Sequence, residues 1–148
     1  MRDKNGKRSH RPKEVRLFFP ATLENVDKAA KEIDGVLHSI GIKKESFPIL
    51  LGMREALLNA VSHGSGRDGR KKVHLKLKLR RDHILMEITD EGEGFDWKSR
   101  LEKGLPARKE SGRGLAIMKR CFTNIEYNEK GNGLILKRKL IKPPISKE

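Results

Sequence analysis

The chain has 148 residues, 35% of them apolar and 36% charged, with a formal net charge of +14. That length suits one domain with a real hydrophobic core, and its periodic apolar segments exclude a wholly disordered chain. No stretch approaches the roughly 18 apolar residues of a membrane span, and the start lacks the apolar region of a signal peptide, so a soluble, cytoplasmic protein is expected. A single cysteine, Cys121, excludes an intramolecular disulfide framework and a multi-cysteine zinc site. Its apolar flank reads as that of a buried small hydrophobe, a reactive thiol being the other reading.

Residues 1–13 are polar, basic and without period, which predicts a flexible arm. Val15–Phe19 reads as a short strand closed by Pro20. Thr22 then suits a helix N-cap, and Val26, Ala29, Ala30, Ile33, Val36, Leu37 and Ile40 recur at three and four residues until Gly41 stops the helix. A second helix is predicted from about Ser46, with Pro48 in its first turn, to about His63, ending at Gly64. Residues 64–69 are a loop by composition.

Val73, Leu75, Leu77 and Leu79 alternate with His74, Lys76, Lys78 and Arg80, the period of a strand with one wet face. Arg81-Asp82 turns the chain into a second strand, His83–Thr89, to form an antiparallel hairpin. A glycine-rich stretch and a polar segment, about 98–111, lead to a short helix, Gly114–Arg120. Two last strands, about Phe122–Asn128 and Leu134–Ile141, are joined by Lys130-Gly131-Asn132-Gly133, whose glycines suit a hairpin. The element order predicts an α/β protein: a two-layer sandwich of a mixed, mainly antiparallel sheet with helices on one face. The domain is expected to span 14–142, with 143–148 as a tail.

Three short motifs carry chemistry. Glu55, Asn59 and His63 are spaced at i, i+4 and i+8, which stacks them on one helix face. Asp90 stands at the end of an apolar strand, followed by Gly92 and Gly94, where backbone can approach a ligand closely. A carboxylate there can accept a hydrogen bond from an exocyclic amine such as that of adenine. The calcium-loop ligand spacing is absent, and so is the Rossmann glycine pattern, since position 97 is Trp. Ser111-Gly112-Arg113-Gly114 leads straight into a helix, where unpaired N–H groups form an anion site to which Arg113 can add charge. Taken singly, each motif also has a plain structural reading: a solvent-facing stripe, an acidic turn, a helix-opening turn.

In order and spacing together, the three resemble the ATPase superfamily named for gyrase, heat-shock chaperones, histidine kinases and mismatch-repair proteins (GHKL), which has the Bergerat fold. Residues 55–64, EALLNAVSHG, are similar to its asparagine box; 90–94, DEGEG, and 112–115, GRGL, are similar to its two glycine boxes. The resemblance covers about residues 15–140. It implies ATP as nucleotide, magnesium held by Asn59, adenine bonded by Asp90 beside Gly92 and Gly94, and phosphates admitted at Ser111, Gly112, Arg113 and Gly114. It also implies a lid over about Trp97–Ser111, in which Trp97 and Lys98 are nucleotide contacts or ordinary packing residues.

The E-A-L-x-N-A-x-x-H-G form in a free-standing domain most resembles anti-sigma-factor serine/threonine kinases. That subtype implies Glu55 as general base and a serine or threonine of a small anti-anti-sigma (STAS-type) protein as substrate. It implies a sigma factor as second partner and a homodimer as assembly. Other readings remain open: an ATP-binding switch without kinase activity, a catalytic module serving a histidine-kinase pathway in trans, and a nucleic-acid-binding protein. The +14 charge keeps the last open, although neither a helix-turn-helix pattern nor interleaved aromatics accompany it. The Lys76, Lys78 and Arg80 face is a further candidate, as a docking surface for an acidic partner.

Overall fold

Two of the inner strands follow from strict alternation. In β2 (Lys72–Leu79) and β3 (His83–Asp90), Val73, Leu75, Leu77, Ile84, Met86 and Ile88 are all buried on one sheet face. They pair antiparallel, with Leu75 opposite Ile88 and Leu77 opposite Met86. The computed structural model describes residues 13–64, 68–92 and 112–141.

β1 (Lys13–Pro20) adds to β2 at one edge of the sheet. β5 (Gly133–Lys139) adds to β3, and β4 (Asn124–Tyr127) to β5, giving the order β1-β2-β3-β5-β4. All four pairings are antiparallel, so where the sequence suggested a mixed, mainly antiparallel sheet, the described strands are antiparallel throughout. β4 is shorter at both ends than the expected 122–128, because Phe122 is drawn into the core and Asn128 into the turn that follows.

Helix α1 (Leu23–Ser39) starts where Thr22 Oγ1 accepts the N–H of Asn25 at 3.2 Å, as its N-cap sequence predicts. At the other end Gly41 takes a φ of 85°. Its N–H bonds the His38 carbonyl, and the Ile42 N–H bonds that of Leu37 at 2.8 Å. This is the Schellman closure, with Ile42 buried alongside Leu37.

Helix α2 (Ser46–Asn59) and helix α3 (Gly112–Cys121) pack against each other, and α1 packs on α2. Val26, Ile33 and Leu37 of α1, Ile49, Met53 and Leu57 of α2, and Met118 of α3 join the buried strand residues in one hydrophobic cluster. All three helices therefore cover the same sheet face. Arg54 and Asp27 add an ion pair between α1 and α2. α2 and α3 approach closely at Gly52, where a Cβ would lie 2.3 Å from Phe122 Cε2. Cys121 is buried at the same contact, the small-hydrophobe role its flank suggests.

The expected second helix changes character before its end. After Asn59 the chain continues as a π-helical turn, Ala60–Gly64, in place of an α-helix running to His63. Such widened turns accommodate one more residue than an α-turn and recur at functional sites. The turn packs against β3.

An ion pair between buried Glu45 and half-buried Arg138 closes the far end of the molecule. Arg138 on β5 points inward, its Nε 3.0 Å from Glu45 Oε1 and one terminal nitrogen 2.7 Å from the Cys121 carbonyl. Glu45 Oε2 accepts the Ile141 N–H at 3.0 Å. Each charge is hydrogen-bonded as well as paired, the condition for burying ions without a large net penalty.

Candidate nucleotide site

Helix periodicity places the first two site residues. Glu55 and Asn59 lie four residues apart on α2, one turn above the other, and both are half-buried. Ala56 and Leu57 between them are in the core, so α2 is anchored on one side and offers its polar stripe on the other. Position 63 lies within the π-helical turn, so the four-residue stacking of Glu55 on Asn59 does not carry on to it. The side chain of His63 lies outside what the structure describes.

The first turn of α3 comes against this stripe. Gly114 is buried, and a Cβ built on it would stand 3.0 Å from Glu55 Oε1, 3.8 Å from Asn59 Nδ2 and 4.0 Å from Asn59 Oδ1. The space beside the carboxylate and the amide is open because position 114 has no side chain. In a first helical turn the backbone N–H groups lack intrahelical partners and sit at the positive end of the dipole. A carboxylate, an amide and a helix N-terminus are thus assembled from segments far apart in sequence. Position 112 opens α3, two residues earlier than its predicted start at Gly114; the side chain of Arg113 is not described.

Asp90 is the last residue of β3, the strand on which the π-helical turn packs. Its Oδ1 accepts the Gly92 N–H at 2.7 Å, a short side-chain turn that fixes the carboxylate over the start of the glycine-rich stretch. Gly92 is buried. A carboxylate has two oxygens and about four lone-pair positions, so accepting Gly92 is compatible with accepting a further N–H. Beside it, Glu91 Oε1 accepts the backbone N–H of Lys72, tying the exit of β3 to the start of β2. Gly94, Trp97, Lys98 and Ser111 lie outside the described residues, as do the expected arm through residue 12, the lid segment 97–111 and the tail.

Two residues of this region escaped the sequence reading. Asn132, in the β4–β5 turn, donates from Nδ2 to the Asp90 carbonyl at 2.9 Å, and Asn128 holds Asn132 in turn. The glycines around them signalled a hairpin, but no local pattern signals a bond to a residue 42 positions earlier.

The basic surface is less open than its sequence suggests. Lys76 and Lys78 converge on Glu87 across the β2–β3 pair, at 3.9 and 3.1 Å. Arg70 is paired with Asp68, which the guanidinium holds below the usual carboxylate range. Arg138, central in the Lys137–Lys139 run, is the half-buried partner of Glu45. Strand alternation splits that run into one inward and two outward charges. Among the described residues no three His, Cys, Asp or Glu side chains gather where they could hold a metal alone, and no helix is long and apolar enough to cross a membrane.

Residues 19–138 match the family described as "Histidine kinase-like ATPase domain". The chain is 27% identical over 136 residues to the "Serine-protein kinase RsbW" of Oceanobacillus iheyensis, covering 86% of each chain. It is 28% identical over 134 residues to an "Anti-sigma F factor" of Clostridium perfringens, covering 85% of this chain and 96% of that one. An "Anti-sigma F factor" of Oceanobacillus iheyensis is likewise 28% identical, over 137 residues.

Proposed function

Because the chain belongs to the histidine kinase-like ATPase domain family, we propose that it is an ATP-dependent serine/threonine protein kinase that acts as an anti-sigma, partner-switching regulator. The names of its relatives, a serine-protein kinase and anti-sigma factors, support this reading. So does one observation above all: the Cβ-free position 114 in the first turn of α3, against Glu55 and Asn59. A side chain at 114 would occupy the space that a phosphate group needs to reach the helix N-terminus beside Asn59, and would crowd the Glu55 carboxylate.

In this reading Asp90 accepts the adenine amino group, and Gly92 and Gly94 let the base lie against backbone. The N-terminal turn of α3, with Ser111, Gly112, Arg113 and Gly114, receives the phosphates. Asn59 holds magnesium through its carboxamide oxygen, the ligand type a hard cation takes. Magnesium, when bound, neutralises charge on the phosphate oxygens. One protein ligand plus phosphate oxygens is an ordinary way of holding it, so the donor set fits without a carboxylate cluster.

Glu55 then takes the proton of a serine or threonine hydroxyl as that oxygen bonds the γ phosphorus. The bond from phosphorus to the bridging oxygen breaks, and ADP leaves with its electrons. Positioning and charge neutralisation supply most of such catalysis, so a site this sparse suffices. The substrate in this reading is a small anti-anti-sigma protein of STAS type. The second partner is a sigma factor, held until the first competes, and the assembly is a homodimer in the cytoplasm.

The test is transfer of labelled phosphate from MgATP to candidate anti-anti-sigma proteins. Wild type should label a serine or threonine of its partner, and Glu55→Gln should bind ATP but not transfer. Transfer that persists in Glu55→Gln removes Glu55 as base. Calorimetry with no magnesium-dependent ATP binding removes the whole reading.

A further inference from the structure

The β3–β5 ladder does not stop at its last regular pair, Thr89 opposite Gly133. The Asp90 N–H donates to the Asn132 carbonyl at 2.9 Å, and Asn132 Nδ2 donates to the Asp90 carbonyl at 2.9 Å. The peptide groups on both sides of the Asp90 Cα are therefore held by one residue of the β4–β5 turn. Asn132 is itself held. Its Oδ1 accepts Asn128 Nδ2 at 2.9 Å, and its N–H donates to Asn128 Oδ1 at 3.1 Å, an oxygen that also takes the Gly131 N–H at 2.7 Å. Gly131 makes the turn possible with a φ of 84°. Gly133 makes room for the relay, since a Cβ there would lie 2.5 Å from Asn128 Nδ2.

We propose that Asn132, oriented by Asn128, is a positioning residue for base recognition by Asp90; this rests on the adenine-binding role proposed for Asp90. The argument is mechanical. The direction of a short side chain is set by its backbone, and a few degrees of rotation at the Asp90 Cα move its carboxylate off the line of an incoming N–H, where hydrogen bonds weaken steeply. Asp90 is the last residue of β3, opposite Val73 of β2. Asn132 holds its two peptide groups from the β4–β5 turn on the other side, and the Gly92 bond to Oδ1 fixes the carboxylate. A held acceptor distinguishes a purine with a 6-amino group from one without it; a loosened acceptor loses that distinction and keeps the rest of the nucleotide contacts.

The experiment is calorimetric titration of the full chain with MgATP and with magnesium purine riboside triphosphate, which lacks the amino group. The ratio of the two affinities isolates the interaction with Asp90. Asn132→Ala should reduce that ratio about five- to tenfold, the scale of one lost hydrogen bond, through weaker ATP binding at unchanged affinity for the analogue. Asn128→Ala should move it the same way by less. Should Asn132→Ala fail to fold, Asn132→Asp, which keeps the shape and loses the Nδ2 donor, carries the same test. A merely structural role would scale both affinities equally and leave the ratio alone.

Asp90→Ala, which has no acceptor at this position, separates the two levels. A ratio lost in Asp90→Ala but intact in a folded Asn132 variant overturns the positioning role and leaves the adenine role standing. A ratio intact in a folded Asp90→Ala overturns the adenine role and the positioning role with it.

Discussion

Gly114 and Glu55 meet so closely that a methyl group at position 114 would lie 3.0 Å from Glu55 Oε1. Since Gly114 is within α3, Gly114→Ala gains about 1 kcal/mol of helix propensity, while the carboxylate must swing aside. The expected outcome is a thermal midpoint unchanged or raised, with phosphoryl transfer about tenfold lower, as small misplacements of a reacting group produce. Parallel melting curves and labelled-ATP assays check it. Full activity in the alanine variant would show that Glu55 needs no room there.

Asn59→Ala removes the proposed magnesium ligand and nothing from the core. ATP affinity in magnesium should fall about tenfold or more, some 1.4 kcal/mol, and should approach the affinity measured in EDTA. The diagnostic is the loss of magnesium dependence in calorimetry. An alanine variant that keeps the wild-type difference between the two conditions would remove Asn59 from the metal.

Gly52→Ala tests packing between α2 and α3. Its Cβ would come 2.3 Å from Phe122 Cε2 and 3.0 Å from the Cys121 Cβ, both buried groups with little space to move. Overpacking of this kind costs about 1–3 kcal/mol, outweighing the propensity gain at an interior helix position. Urea unfolding should show a lower midpoint at an unchanged slope.

For the pair of Glu45 and Arg138, single and double substitutions should diverge. Arg138→Ala leaves the Glu45 carboxylate buried and should cost about 3–5 kcal/mol, and Glu45→Ala, which leaves the half-buried Arg138, should cost less. The double variant should cost clearly less than the sum, which a double-mutant cycle by urea unfolding measures. Additive costs would mean that the two charges act independently, against their 3.0 Å contact.

Burial pushes the Cys121 thiol above its ordinary range, against a smaller opposing effect of Arg138. The raised value means that the native state keeps the neutral thiol while the unfolded chain ionises. The contribution to stability is therefore fully present below the unfolded thiol's pKa and is lost as pH rises through the native one. Iodoacetamide at mildly alkaline pH should accordingly modify the native protein far more slowly than the protein in urea. Equal rates would contradict the buried position.

Local pattern was enough to read most of the sheet and α1. The period-2 run from Val73 to Leu79 dictates which side chains enter the core, and Thr22 and Gly41 mark where α1 begins and ends. Glu55 and Asn59 were legible as neighbours for the same reason, a four-residue spacing on a helix. Long-range relationships were not legible. Nothing near Glu45 announces Arg138, 93 residues away, and nothing near Asp90 announces Asn132. Gly114 could be read as opening a helix, but its approach to Glu55 depends on how α2 and α3 pack through Gly52 and Phe122. The π-helical turn after Asn59 was invisible because its sequence, Ala60–Gly64, continues a helical apolar pattern.

The meeting of α2 with the first turn of α3, beside the end of β3, has a thermodynamic consequence. None of the three segments holds the arrangement by itself, so with ATP bound where proposed the unfolded chain has no counterpart of the site and should bind nucleotide negligibly. Nucleotide concentration then enters the folding equilibrium directly. At a hundred times its dissociation constant, ATP should add about 2.7 kcal/mol to the stability of the domain. On the proposed function, a fall in ATP would loosen this protein as well as deprive it of its phosphate donor.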